Sequence, residues 1–221
     1  EKESINPQAM PDVQASKDDR NVHIDKVGVK DVVYPMKLAT KDGGEQTTVA
    51  SINMYVALPK EKKGTHMSRF LEVLNRHHES IRSDQLMEVC HDMKDRLEAE
   101  EAHLELTFPY FIDKKAPVTK RVGKIDIGVS FECSSNAVDD FVMGLKVPAT
   151  SLCPCSKEIS AYGAHNQRCE IEVKVRFTPG KMMWIEELFD IVEQAASTQV
   201  FAVLKRPDEK FVTEAAYDNP K

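Results

Sequence analysis

The stretch SLCPCSKEISAYGAHNQR, Ser151 to Arg168, gathers two thiols, one imidazole and two amides where there is little apolar content to bury. Cys153 and Cys155 flank Pro154, and His165 follows close behind Gly163. Thiolate and imidazole are ligands that suit zinc and its neighbours, and side by side they also make an activated nucleophile. A Cys-Pro-Cys step lacks the two-residue gap with which a CxxC pair grips one metal, and no partner pair accompanies it, so a closed structural zinc site is not expected. Three readings stay open on the residues alone. One is an open metal site using one thiolate, one imidazole and a carboxylate from elsewhere; the second is a cysteine nucleophile with His165 as its base. The third makes both thiols packing residues beneath a turn. Asn166 and Gln167 either orient a substrate or complete turn hydrogen bonds.

A second polar concentration, KRPDEKFVTE from Lys205 to Glu214, supplies Lys205, Arg206, Asp208, Glu209, Lys210 and Glu214. Alone it reads as a solvated charge run just past the last helix. Beside the first loop it would become part of a site.

The rest of the chain must supply the scaffold. Its 221 residues suffice for one large domain or two small ones, and 41% hydrophobic with 30% charged residues describes an ordinary globular composition. No apolar run approaches the roughly 20 residues that cross a bilayer, so no membrane association is expected. The polar start EKESINPQAMPDVQASKDDR has neither a basic nor an apolar signal region, and residues 1–26 read as a mobile tail. Five cysteines, an odd number scattered over different elements, point to reduced thiols and a cytoplasmic location. A formal net charge of −6 argues against general attraction to nucleic acid.

Periodicity then gives the elements. Val27 to Leu38 reads as extended, and Gly43-Gly44 as a hairpin turn within Lys41 to Glu45. Ala50, Ile52, Met54, Val56 and Leu58 alternate as a strand that Pro59 and KEKKG end. Two helices follow. Met67, Phe70, Leu71 and Leu74 mark the first, and Leu86, Val89, Cys90, Met93 and Leu97 the second, with Ser83 as its N-cap. Cys90 belongs to that apolar stripe, and His77 and His78 at the junction read as surface or capping residues. Leu104 to Phe108, Ile125 to Cys133, a shorter Phe141 to Val147, and Cys169 to Phe177 read as strands, with Cys133 and Cys169 facing inward. Pro179-Gly180 turns the chain into a helix carrying Ile185, Leu188, Phe189, Val192, Ala195 and Ala196, continuing or restarting toward Leu204. The fold class is α+β, two similar modules of helices packed on antiparallel sheet.

The segments LCPCSKEIS, YGAHNQR, FTPGKMMWIEEL and LKRPDEKFVTEAAYDNPK, with FPYFIDKKAPV before them, resemble the type IB GTP cyclohydrolases from about Asp12 to Lys221, most weakly between Lys120 and Lys146. The resemblance implies the tunnelling fold, with ββααββ modules at about 27–120 and 121–221. Several subunits, a homotetramer, would form a barrel with active sites at their interfaces. It implies a hydrolase acting on a cyclic amidine: the imidazole ring of GTP is opened, C8 leaves as formate, and the product recloses as 7,8-dihydroneopterin triphosphate at the entry to tetrahydrofolate synthesis.

The same resemblance makes Cys153 a metal ligand with Cys155 as the second candidate, Glu209 the carboxylate ligand, and His165 an acid/base or further ligand. The cofactor would be a divalent metal, zinc, manganese or iron, that acidifies water for attack at C8 while His165 exchanges protons. Lys157, Arg168, Lys205 and Arg206 are the candidates for the triphosphate. The family continues past Lys221 with a Glu and a His that help bind the metal and a guanine-anchoring Glu, so either this chain is truncated or partly disordered or its site is incomplete, and a site built from Cys153, His165 and Glu209 is expected to be unoccupied in this form. Two alternatives remain: a tunnelling-fold enzyme with a cysteine nucleophile, of the deazapurine nitrile reductase type, and a purine- or pterin-binding module without catalysis.

Overall fold

Period-2 alternation produces six strands that pair in chain order, every neighbour antiparallel: β1 (Ile24–Ala39), β2 (Glu45–Leu58), β3 (Ala102–Lys115), β4 (Val122–Ser135), β5 (Asp139–Leu152) and β6 (Asn166–Phe177). The computed structural model describes residues 14, 16, 17, 19, 22–77, 81–178 and 180–221. Within these lie five α-helices: α1 (Met67–His77), α2 (Leu86–Leu97), α3 (Pro154–Ile159), α4 (Ile185–Gln194) and α5 (Arg206–Asp218). Strand, strand, helix, helix, strand, strand runs over β1 to β4. Strand, strand, helix, helix recurs in β5, β6, α4 and α5, with α3 inserted between the strands. The α+β expectation holds. No helix among the described residues is long and apolar enough to cross a membrane.

One sheet face carries the core. Met36 and Leu38 of β1, Ile52 and Met54 of β2, Leu106 and Phe108 of β3, Ile127 and Phe131 of β4 and Met143 and Leu145 of β5 are buried against Phe70, Val73 and Leu74 of α1, the α2 stripe, and Leu188 and Phe189 of α4. Cys90 and Cys133 lie in this core as their positions on the apolar pattern require, while Cys169 on edge strand β6 is only partly covered. Aromatic rings cross the sheet in contact, Phe108 to Phe131 at 5.3 Å, Phe131 to Phe141 at 5.6 Å and Phe141 to Phe177 at 5.6 Å. The opposite face is polar, with Lys26 paired to Glu105, Lys174 to Glu132 and Lys146 to Glu172 across neighbouring or next-but-one strands. Such exposed pairs contribute little stability.

Several boundaries differ from the sequence reading. The Phe141 to Val147 strand extends to Leu152, because its outer half pairs residue for residue with β6. The stretch from Ser151 to Arg168 is not all loop: it contains α3 and the ends of β5 and β6. Ser83 does not cap α2. It lies in a 3₁₀ turn, Ser83–Gln85, where the Gln85 side chain accepts the Arg82 amide at 3.2 Å. Met67 and Leu71 lie on the exposed side of α1. His77 reaches Asp92 of α2 at 3.1 Å and so ties the two helices together. Helix α4 ends at Gln194, and the following segment bridges Thr150 through Thr198 instead of continuing helically. The Lys205 to Glu214 run is itself helical, forming most of α5. His78, Pro179 and most of the N-terminal stretch read as a tail lie outside the described residues.

Phe131 touches both aromatic neighbours and is 1% exposed. Phe131→Ala should therefore destabilise the fold by about 3–5 kcal/mol. The midpoint of urea unfolding is the measurement, and a shift worth less than about 1 kcal/mol would show that the ring is not central to the core.

Candidate functional site

The geometry starts with the β5–β6 hairpin. Its register runs without a slip from Phe141↔Phe177 to Leu152↔Asn166. The next residues on each side are Cys153 and His165, and the Cys153 amide donates to the His165 carbonyl at 3.2 Å, extending the ladder by one bond. Two residues separated by the whole α3 excursion are thus cross-strand neighbours, whose Cα atoms in such ladders stand about 4.5–5.5 Å apart.

Helix α3 fixes the thiol. Cys153 is the N-cap, Pro154 occupies the first turn where its missing N–H costs nothing, and the Ser156 amide donates to Cys153 Sγ at 3.5 Å. Ser156 also donates its hydroxyl to the Cys153 carbonyl at 3.1 Å and accepts the His165 amide at 3.3 Å. It is the knot of this loop. Sequence reading passed over it, although Pro in the first turn with a polar residue two positions later is a helix-start signal.

The Ser156 amide, then its hydroxyl, outweigh the opposing effect of burial, and the Cys155 amide and the His165 side chain act in the same direction; together they lower the Cys153 thiol from the usual 9.0 to about 7. Cys153 is partly exposed, whereas Cys155 and His165 are open to solvent. A thiol poised near neutrality beside an imidazole can bind a metal or attack an electrophile. As two donors, Cys153 and His165 fit a borderline cation such as zinc. Among the described residues no three His, Cys, Asp or Glu side chains cluster so as to hold a metal ion.

The other candidates lie on or near α5, which crosses the same end of the sheet. At its N-terminus Asp208 is fully buried, accepting the Val118 and Thr119 amides at 2.9 and 2.8 Å, the Thr119 hydroxyl at 2.7 Å and the Lys205 amide at 3.0 Å. Burial alone would raise its pKa; the Thr119 amide and hydroxyl and the Lys205 and Val118 amides more than reverse this and hold the carboxyl well below the usual range. Glu209, next along, is exposed and 3.7 Å from Arg206. At the far end Lys157 of α3 donates to the Tyr217 carbonyl at 2.6 Å and lies 4.1 Å from the centre of its ring. Lys157 is thus engaged in capping α5, where a cation complements the helix dipole. Glu209 lies two turns, about 12 Å of helix rise, from that contact. The chain brings Cys153, His165 and Lys157 together; it does not bring Glu209 to them. Lys205 is exposed, and Arg168, exposed on β6, alternates onto the polar face of the sheet with Glu170 and Glu172.

A cleft of about 780 Å³ lies at the β1–β2 turn, lined by Lys41, Asp42, Tyr110, Lys124 and Glu186 among others, and includes none of these residues. Its groups are mostly satisfied by one another: Tyr110 donates to Glu186 at 2.6 Å and Lys124 to Asp113 at 2.6 Å. It is not the candidate site.

A model of the family described as type I GTP cyclohydrolase FolE2 matches residues 10–221. The chain belongs to this family. The GTP cyclohydrolase FolE2 of Geobacter sp. (strain M21) is 50% identical over 220 residues, which is 100% of this chain and 82% of the relative. Those of Syntrophobacter fumaroxidans and Magnetococcus marinus are 53% and 54% identical over 214 residues, 96% of this chain and 82% and 80% of the relatives. The resemblance carried by LCPCSKEIS, YGAHNQR and LKRPDEKFVTE is therefore borne out, and the match includes the 120–146 stretch that forms β4 and the first half of β5.

The lowered thiol predicts a pH signature. Because its conjugate base is the stabilised form, the thiolate of Cys153 should predominate above about pH 7 and disappear below it. Alkylation at Cys153, followed by peptide mass spectrometry, should be half-maximal near pH 7, and Ser156→Ala should move that midpoint upward. A midpoint unchanged by the substitution would remove Ser156 from its organising role.

Proposed function

We propose that this chain is a GTP cyclohydrolase that opens the imidazole ring of GTP hydrolytically, with net consumption of one water, to give formate and 7,8-dihydroneopterin triphosphate, the first step of tetrahydrofolate biosynthesis. Family membership over residues 10–221 supports the activity, and the observation that carries the site is the juxtaposition of Cys153 and His165 beyond the last β5–β6 pair.

In this reading Cys153 and His165, with Cys155 as an alternative thiol, would hold a divalent metal, zinc, manganese or iron, and Glu209, which a single chain does not bring to them, would join them only through assembly of copies. When bound, the metal supplies a Lewis acid that lets water act as a nucleophile near neutral pH. The chain's own residues do the rest. Ser156 and the first turn of α3 hold Cys153 as a thiolate donor. Where His165, exposed and fixed by its backbone to Cys153 and Ser156, is not itself a ligand, it gives and takes protons as the substrate ring opens. Arg168 and Lys205 are exposed and would meet the triphosphate directly, while Arg206 would have to exchange its Glu209 partner, and Lys157 its Tyr217 contact, to do so.

The same proposal includes assembly. Strands β1 and β6 are the two edges of the sheet, β1 being covered among the described residues by Ile81 only from Lys37 to Ala39, and the inward residues of β6 are only half-covered. Open edges normally find a partner. A homotetramer whose sheets join into a barrel closes them and brings residues of different copies to one interface site. The five free cysteines support a reducing compartment such as the cytoplasm.

Incubated with GTP and a divalent metal, the protein should release formate and yield a fluorescent pterin after oxidation; absence of both would overturn the activity. Cys153→Ala should lower turnover by more than the roughly 10–100-fold that losing a residue supporting a metal ligand costs, and metal content should fall with it. Unchanged metal content would take the ligand role from Cys153. Activity that survives chelation and is lost on thiol alkylation would favour the cysteine-nucleophile reading, and GTP binding without turnover the non-catalytic one.

A further inference from the structure

We propose that Tyr162 is a substrate-binding residue whose ring stacks on the purine of GTP beside His165. This rests on the reading above in which GTP is opened at the end of the β5–β6 hairpin.

Among the described residues the two most exposed large hydrophobic side chains are Tyr162, at 102%, and Ile159, at 87%. Both lie on the excursion between Cys153 and His165. Ile159 ends α3, and Tyr162 stands in the segment from Ser160 to His165 that returns the chain to β6. Scattered exposed apolar residues are ordinary on a protein surface. Here the two with least cover fall on the one loop that carries the thiol and the imidazole.

The backbone beneath the ring is held on both sides. The Tyr162 amide donates to Ser160 Oγ at 3.2 Å, a local turn of the kind serine hydroxyls make, and Gly163 follows at φ +119°, where a side chain would be strained. Further on, the His165 amide donates to Ser156 Oγ at 3.3 Å and its carbonyl accepts the Cys153 amide at 3.2 Å. The loop therefore presents an uncovered phenol ring on a backbone tied to the site. Three residues separate Tyr162 from His165, at most about 11 Å of chain even fully extended. A tyrosine offers a broad flat surface with only two χ angles to freeze on binding. Every purine has a matching π-face, and base–aromatic stacking needs no hydrogen bond to the base. Stacking also engages the face of the purine and leaves its edges free. The imidazole half of the base thus stays open to water and to proton exchange with His165.

The test is the steady-state kinetics of formate release from GTP, with a divalent metal present. Tyr162→Ala should raise KM roughly 5–150-fold, the span of one lost base–aromatic stack, with kcat little changed, because stacking holds substrate and transition state alike. Tyr162→Phe, which keeps the ring, should retain the wild-type KM. Tyr162→Leu, apolar but without a π-face, should not. An unchanged KM in Tyr162→Ala, a loss confined to kcat, or rescue by leucine as good as by phenylalanine would each overturn the inference. Nitration of Tyr162 by tetranitromethane, read by peptide mass spectrometry, gives a measure independent of turnover: guanosine should slow it and inorganic tripolyphosphate should not. Equal protection by both, or none by guanosine, would count against the stack. A ring already shielded before guanosine is added would show that a second copy of the chain covers it, and would equally overturn the inference. If the wild-type protein releases no formate while guanosine still protects Tyr162, the reading of the activity fails and the purine-binding role of Tyr162 stands.

Discussion

The site depends on the register of one hairpin. Twelve consecutive pairs of β5 and β6 leave no freedom in which residues face each other where the strands part, and those residues are Cys153 and His165. A slip of one position would separate the thiol from the imidazole and move the apolar face of β6 into solvent at the same time. The buried Met143, Leu145 and Val147 of β5 and the Phe141–Phe177 stack therefore hold this juxtaposition at a distance. Packing and site geometry are here one constraint.

Helix α5 is the second structural decision. It is held at both ends, by Asp208 on the β3–β4 turn and by Lys157 on the Tyr217 carbonyl, so it runs as a strut between the hairpin that carries the thiol and the neighbouring turn. Charges that looked solvated in the sequence are thereby divided by environment. Asp208 is withdrawn into the protein as a structural acceptor, while Glu209, Arg206 and Lys205 remain at the surface. Neighbouring carboxylates take different roles because one has four donors and the other meets water.

Much of the scaffold was legible. Ala50 to Leu58 and Cys169 to Phe177 alternate so strictly that strand and inward face follow from period alone, and the Leu86 to Leu97 stripe gives α2 with Cys90 in the core. The boundaries that were missed share a cause. The outer half of β5 has Pro148, Thr150 and Ser151 where alternation fades, and only pairing with β6 makes it a strand. Short α3 and the start of α5 were hidden by composition, since CPCSKE and KRPDEK read as loop and charge run. Their start signals, Pro in the first turn with Ser156 or Asp208 following, were present nonetheless.

By itself the sequence determined the fold class, the inward residues of the strictly alternating strands, the family through its motifs, and the identity of the thiol, imidazole and carboxylate worth attention. These follow from local pattern and residue chemistry, which need no knowledge of what lies across the chain. Only the tertiary structure decided that Cys153 faces His165, that Ser156 tunes the thiol, that Asp208 and not its neighbour is buried, and that Lys157 caps a helix. Each of these is set by partners far away in sequence, because hydrogen-bond donors and exclusion of water act through space and leave no periodic trace in the chain.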